Sequence, residues 1–155
     1  MNLINLQERK ENDCLARASR TLSFINRALA DFDLAVTGSY AEYILKNQRN
    51  SSFNENSDID IAVENKYMNM AREVIIKSLA PRRIMETRDY KDGEGGGGKV
   101  RYRTFKNHLE FKILSENHTP IHLIGTYDPK QHSEIVRGVR YINPIRVKDM
   151  RLIVQ

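Results

Sequence analysis

Residues 57–63 read Ser57-Asp58-Ile59-Asp60-Ile61-Ala62-Val63, and this run constrains the chain more tightly than any other. In an extended strand successive side chains point to opposite faces. Ile59, Ile61 and Val63 therefore share one face, which is the natural core side, and Asp58 and Asp60 share the other. Such alternation predicts a half-buried strand over residues 57–63. Aspartate is depleted in strands, and two carboxylates one pleat apart repel unless a cation lies between them. The pair resembles half of a magnesium site, because hard cations take oxygen ligands. A solvent-facing strand with two exposed acids would show the same letters.

A second feature lies upstream. Asp33-Leu34-Ala35-Val36 is a short strand-like run, broken by Thr37-Gly38-Ser39, after which Ala41-Glu42-Tyr43-Ile44-Leu45 favours helix. A glycine ending a strand can take φ > 0 and lets a ligand approach the backbone closely. Free N–H groups at the start of the following helix favour a phosphate. Ser39 would either cap that helix, the commoner role for such a serine, or bind a phosphate oxygen. Alone the turn says little; followed by an Asp-x-Asp strand it says much more.

The rest of the chain frames these two features. Leu15, Ala18, Leu22, Ile25 and Leu29 recur at helical spacing within residues 8–29, with Arg17, Arg20 and Asn26 on the other side. That predicts an amphipathic helix packed on the domain. Residues 46–56 are polar and read as a loop. Residues 69–79 predict a helix that packs Met70, Val74, Ile75 and Leu79 against the sheet. Residues 89–99, with four consecutive glycines at 95–98, read as a mobile loop. Residues 100–105, 109–114 and 120–124 are three further strands, whose short linkers favour hairpins. The tail, 138–155, reads as extended at first, with a helical turn near 148–150.

Composition sets the class. The chain has 155 residues, of which 40% are hydrophobic, enough for one domain spanning residues 1–155. No run approaches the roughly 18 to 20 apolar residues of a membrane helix, and the first ten residues turn polar too early for a signal peptide. The one cysteine, Cys14, excludes an internal disulfide and a cysteine-built zinc site. The expectation is a soluble, cytoplasmic protein with no membrane partner. Net charge is +5, and it is unevenly spread: residues 1–64 are net acidic and residues 65–155 net basic. That asymmetry points weakly to polyanionic partners.

On Val36-Thr37-Gly38-Ser39-Tyr40-Ala41-Glu42-Tyr43 and Ser57-Asp58-Ile59-Asp60-Ile61-Ala62-Val63, the chain resembles the nucleotidyltransferase superfamily typified by DNA polymerase beta. It looks most like the minimal nucleotidyltransferase domains and the catalytic core of viral poly(A) polymerases. The resemblance follows the order of elements over residues 33–125. It implies a small α/β nucleotidyltransferase fold with a mixed, twisted sheet and helices mainly on one side. It also implies Gly38 and Ser39 as nucleotide-phosphate-binding residues and Asp58 and Asp60 as catalytic ligands of two Mg2+ or Mn2+ ions. A third carboxylate from a later strand completes the family's site.

Two departures from that pattern stand out. The span from Ser39 to Asp58 is lengthened by the polar segment 46–56, which a surface loop tolerates because closure entropy grows slowly with length. More consequentially, Thr119-Pro120-Ile121-His122-Leu123-Ile124 looks like the third-carboxylate strand, yet the aspartate position holds His122. That assignment would make His122 a metal ligand. The other candidate is Glu110, whose neighbours Leu109, Phe111 and Ile113 point the opposite way, leaving it on the polar face as an ordinary exposed glutamate beside Lys112 or as the missing acid. Arg101, Arg103 and Lys106 could meet phosphate or RNA, or form a solvated strand face. His108, His118 and His132 show no ligand spacing.

The function these features imply is metal-dependent transfer of a nucleoside monophosphate from a nucleoside triphosphate to an RNA, protein or small-molecule acceptor, with a protein partner able to supply acceptor recognition. The alternative is a catalytically lapsed module of the same fold that binds nucleotide, nucleic acid or a protein partner. A third reading is a basic nucleic-acid-binding protein whose acidic strand is incidental.

Overall fold

The computed structural model describes residues 3–47, 52–79, 84–90, 109–131 and 133–142. The chain is α/β. In order run α1 (Leu3–Ala28), β1 (Leu34–Thr37), α2 (Gly38–Leu45), β2 (Ile59–Glu64), a 3-10 turn (Asn65–Tyr67) and α3 (Met68–Leu79). Then follow β3 (Ile84–Tyr90), β4 (Glu110–Ser115), β5 (Ile121–Thr126), β6 (Ser133–Val136) and β7 (Val139–Ile142). The seven strands form one mixed sheet in the order β3-β4-β5-β2-β1-β7-β6. β1 runs antiparallel to β2, β2 parallel to β5, and β5 antiparallel to β4.

Alternation along β2 decides which face meets the helices. Ile59, Ile61 and Val63 are fully buried in one cluster with Ala18, Leu22 and Ile25 of α1, Ala41 of α2, and Met68, Ala71 and Ile75 of α3. Phe111 and Ile113 of β4 and Ile121 and Leu123 of β5 join them. The three described helices thus pack on one face of the sheet. Each large side chain buried there contributes roughly 1.5–3 kcal/mol relative to exposure. On the opposite face Ala35, Ala62 and Ile142 make a small separate cluster.

Several expectations are corrected. In α3, Ile75 and Leu79 are buried and Val74 packs partly buried against the core as expected, but Met70 is 59% exposed and Met68 and Ala71 take the remaining buried positions. Asp89 and Tyr90 lie in β3 rather than in a loop. Among the described strands β3 pairs only with β4, at one end of the sheet. β6 forms a hairpin with β7 that tail composition did not announce. Both residues of the connecting turn, Arg137 and Gly138, have positive φ, as the twist of a two-residue hairpin favours. The glycine-run loop, the strand at 100–105 with Arg101, Arg103 and Lys106, and the helical turn near 148–150 fall outside the described residues, apart from Asp89 and Tyr90. No helix among the described residues is long and apolar enough to cross a membrane.

Candidate metal centre

The polar segment before β2 folds on itself and delivers Asp58. The Asn56 N–H donates to Asn54 Oδ1 (2.8 Å) and the Asn54 N–H to Ser57 Oγ (3.0 Å), the local turn bonds that asparagine and serine favour. The Ile59 N–H then donates to Pro120 O at 2.8 Å. This bond pins the start of β2 to the start of β5. Parallel pairing carries on from there, with Asp60 opposite His122.

Register brings three side chains together. One ligand atom from each of Asp58, Asp60 and His122 lies within 4.8 Å of the others. His122 Nδ1 stands 2.9 Å from Asp60 Oδ1. A carboxylate only accepts, so in this contact the imidazole nitrogen donates. On the far side of the ring, His122 Nε2 is 4.0 Å from Glu110 Oε2. Lys112, one strand further out, reaches across to Asp58, with Nζ 3.1 Å from Oδ2. His122 sits between two carboxylates, and an ammonium already occupies one oxygen of the third.

The Gly-Ser turn abuts this cluster. Thr37, the last residue of β1, is paired with Asp60, and Gly38 follows with φ of 71°. A side chain at position 38 would enter the Asp60 carboxylate, its Cβ falling 2.9 Å from Cγ and closer still to Oδ2. Glycine is thus required twice, for the backbone angle and for the space. Ser39 does not cap the helix, as expected of the commoner role, because α2 begins at Gly38 and Thr37 holds the cap position. Thr37 makes no side-chain cap bond either. Its hydroxyl is buried and without a hydrogen-bond partner among the described residues.

Glu110 is corrected most sharply. It is 1% exposed, not a solvated strand glutamate. Alternation sets Glu110 on the face opposite Phe111 and Ile113, and at this position that face is covered, with His122 Nε2 of β5 4.0 Å from Glu110 Oε2. A polar clamp fixes its position: Asn65 Oδ1 accepts the Leu109 N–H (2.9 Å) and the Gly125 N–H donates to Leu109 O (2.9 Å). Asn65 packs so tightly on Gly125 that a Cβ there would meet Asn65 Oδ1. Of the two candidates for the third position, His122 is in the three-residue cluster, and Glu110 approaches it only through the far side of the His122 ring.

Lys112 and Thr37 are positions that the local sequence does not single out. Nothing local to Lys112 shows that β4 and β2 flank the same strand. Thr37 carried a signal, a hydroxyl directly before the turn glycine. Cys14 has no place in the cluster; burial pushes its thiol above the ordinary range, which disfavours the thiolate that nucleophilic chemistry needs.

The donor set suits a small cation. Two carboxylates and an imidazole on rigid strands offer oxygen and nitrogen ligands, with a lysine drawn to the same negative charge. Magnesium favours the oxygens and manganese tolerates the nitrogen.

No family model matches the chain, and no curated protein matches it. Among solved structures it is similar to JHP933 from Helicobacter pylori, with a TM-score of 0.44 and 16% identity over 88% of this chain and 54% of that one. The chain spans about half the length of JHP933.

Proposed function

We propose that this chain is a nucleotidyltransferase-type domain that moves a nucleoside monophosphate from a nucleoside triphosphate to an acceptor, with Mg2+ or Mn2+ held by Asp58, Asp60 and His122. The observation that carries this reading is the seating of the Gly38 backbone directly on the Asp60 carboxylate, beside the three-ligand cluster. That arrangement gives a phosphate chain one wall of backbone and one wall of ligand. In the reaction an acceptor oxygen attacks the α-phosphorus, its bond to the bridging oxygen breaks, pyrophosphate leaves and the acceptor gives up a proton. Bound divalent ions would neutralise charge on the phosphate oxygens. Gly38 and Ser39 would position the phosphates, and Lys112, released from Asp58, would offer a mobile positive charge at the same edge. Positioning and charge neutralisation account for most of the catalysis in such transfers.

The imidazole in place of a third carboxylate favours a second reading, the lapsed module, because it removes one full negative charge from the ligand set. Calorimetric titration separates them. Wild type should bind Mn2+ together with a non-hydrolysable triphosphate, and the double change Asp58→Asn with Asp60→Asn should lose that binding at unchanged melting temperature. Equal affinity in both proteins would remove the site. His122→Asp should shift preference from Mn2+ towards Mg2+. If transfer activity rises with it the enzyme reading stands, whereas tighter metal binding without turnover identifies the lapsed module.

A further inference from the structure

On the helix side of the sheet, α1 and the β4–β5 turn enclose a cleft of about 490 Å3. Arg20, Ser23 and Arg27 line it from α1, at intervals that place them on one helix face. Asn117 and His118 line it from the turn. No carboxylate among the described residues lines it. Among the described residues neither Arg20 nor Arg27 forms an ion pair, and both are exposed. The next depression along α1 differs: Lys10 and Arg17 there face Asp13 and Glu55, so its charge is balanced. Glu116 flanks the turn but does not line the cleft.

The cleft is built rather than incidental. Thr21, fully buried, ties its two walls together. Its hydroxyl donates to Arg17 O (3.0 Å) and accepts the Thr119 N–H (3.0 Å). His118 Nδ1 lies 3.1 Å from the same oxygen, within hydrogen-bond distance. The His118 ring also rests against Phe24, with centroids 5.1 Å apart. The turn is thus held at a fixed distance from the two arginines.

We infer that this cleft binds the phosphodiester backbone of a single-stranded polynucleotide. Guanidinium, hydroxyl and amide donors without an opposing acid are the chemistry that phosphate oxygens select. The cleft has the volume of an ordinary ligand pocket, and a flexible single strand, unlike a stiff duplex, can bend its phosphates into it. The cleft and the metal cluster share one end of the sheet but lie on opposite faces, so a strand held in the cleft reaches the cluster only around that end. His118, in the β4–β5 turn, precedes His122 of β5 by four residues. The Ile59–Pro120 bond holds β2, with Asp58 and Asp60, against the same end of the sheet. The role of the strand as acceptor rests on the nucleotidyl-transfer reading; the binding itself does not.

Fluorescence anisotropy with a labelled RNA of about 12 nucleotides, within the usual range of single-strand sites, tests the inference in the presence of a chelator. The full chain and its Arg20→Ala/Arg27→Ala variant are compared between about 50 and 200 mM salt. Both side chains are exposed, so the melting temperature should hold. The variant should bind roughly tenfold more weakly, with a slope of log K against log salt shallower by about 1.4, two phosphate contacts at about 0.7 each. Arg20→Lys/Arg27→Lys should keep most of the slope, and Asp58→Asn/Asp60→Asn should bind RNA as wild type does. Unchanged affinity and slope in the alanine variant, or no RNA binding by wild type at low salt, overturns the cleft. If the alanine variant loses RNA while wild type shows no metal-dependent triphosphate binding, the cleft stands and the transfer reading falls.

Discussion

Gly38→Ala concentrates the local physics of the site in one methyl group. Residue 38 has φ of 71°, and placing an alanine in the left-handed region costs about 1–2 kcal/mol. The new Cβ lies 3.3 Å from Asp60 Cβ and 2.9 Å from its Cγ, and it overlaps Oδ2. The first contact can relax by a few tenths of an ångström; the others force the carboxylate aside. Turning Asp60 out of its rotamer costs about 0.5–1.5 kcal/mol, and the contact with His122 Nδ1 at 2.9 Å is lost, about 1 kcal/mol for a partly exposed hydrogen bond. The sum is roughly 2.5–4.5 kcal/mol, or about 8–14 °C in melting temperature at about 3 °C per kcal/mol for a chain of this size.

Urea unfolding by linear extrapolation measures the cost, and a double-mutant cycle with Asp60→Ala apportions it. Without the carboxylate only the backbone cost and the mild Cβ contact remain. The cycle should therefore return a coupling of about 1.5–2.5 kcal/mol between positions 38 and 60. Mn2+ titration of Gly38→Ala should show binding weakened at least tenfold, because a displaced Asp60 leaves the three-ligand cluster. If Gly38→Ala stays within about 0.5 kcal/mol of wild type, or costs as much in the Asp60→Ala background as alone, the packing of glycine against carboxylate is not what holds the site.

Two further outcomes follow from particular contacts. Lys112→Met should leave stability within about 1 kcal/mol, since the Lys112–Asp58 pair is partly exposed, and should tighten Mn2+ binding by removing a competing cation; weaker binding on calorimetry would show that Lys112 instead supports the ligand set. Burial, with Tyr40 second, pushes the Tyr141 phenol up to about 12, while Arg137 pulls it down. Its neutral form therefore stabilises the fold fully below about pH 10, and that contribution is lost as pH rises towards 12. Thermal melts should fall more steeply over that window in wild type than in Tyr141→Phe; identical slopes would contradict a buried neutral Tyr141.

The parts of the site legible in the sequence are those set by local rules. Alternation in residues 57–63 separates the core-facing isoleucines from Asp58 and Asp60, and the strand–glycine–helix order places Gly38. What the letters do not carry is how strands order across the sheet. Lys112 reaches Asp58 because β5 is inserted between β4 and β2, a long-range placement that no spacing encodes. Glu110 was misread for the same reason: alternation gives the face of a residue but not whether that face is covered. Met70 shows a different failure. Its four-residue interval to the half-buried Val74 is helical, but both flank the fully buried stripe of Met68, Ala71, Ile75 and Leu79, and only Val74 still reaches the core.

The cluster owes its geometry to the core rather than to its own attractions. In β2 and β5 the pairs Ile59–Ile121 and Ile61–Leu123 face the helices, and Asp60–His122 lies between them on the other face. A slip of one residue in β5 would turn His122 into the core and put Ile121 or Leu123 among the carboxylates. Exposing one such side chain costs roughly 1.5–3 kcal/mol, and burying an unpaired imidazole costs more besides. Register is therefore held by four apolar side chains that never touch a ligand. The identity of residue 122 can then change without a slip of register, though not without local cost. His122→Asp loses the contact with Asp60 and adds a carboxylate beside Asp60 and the buried Glu110. It should therefore melt below wild type without metal, recover on adding Mg2+, and keep the same strand register while its preference among divalent ions moves.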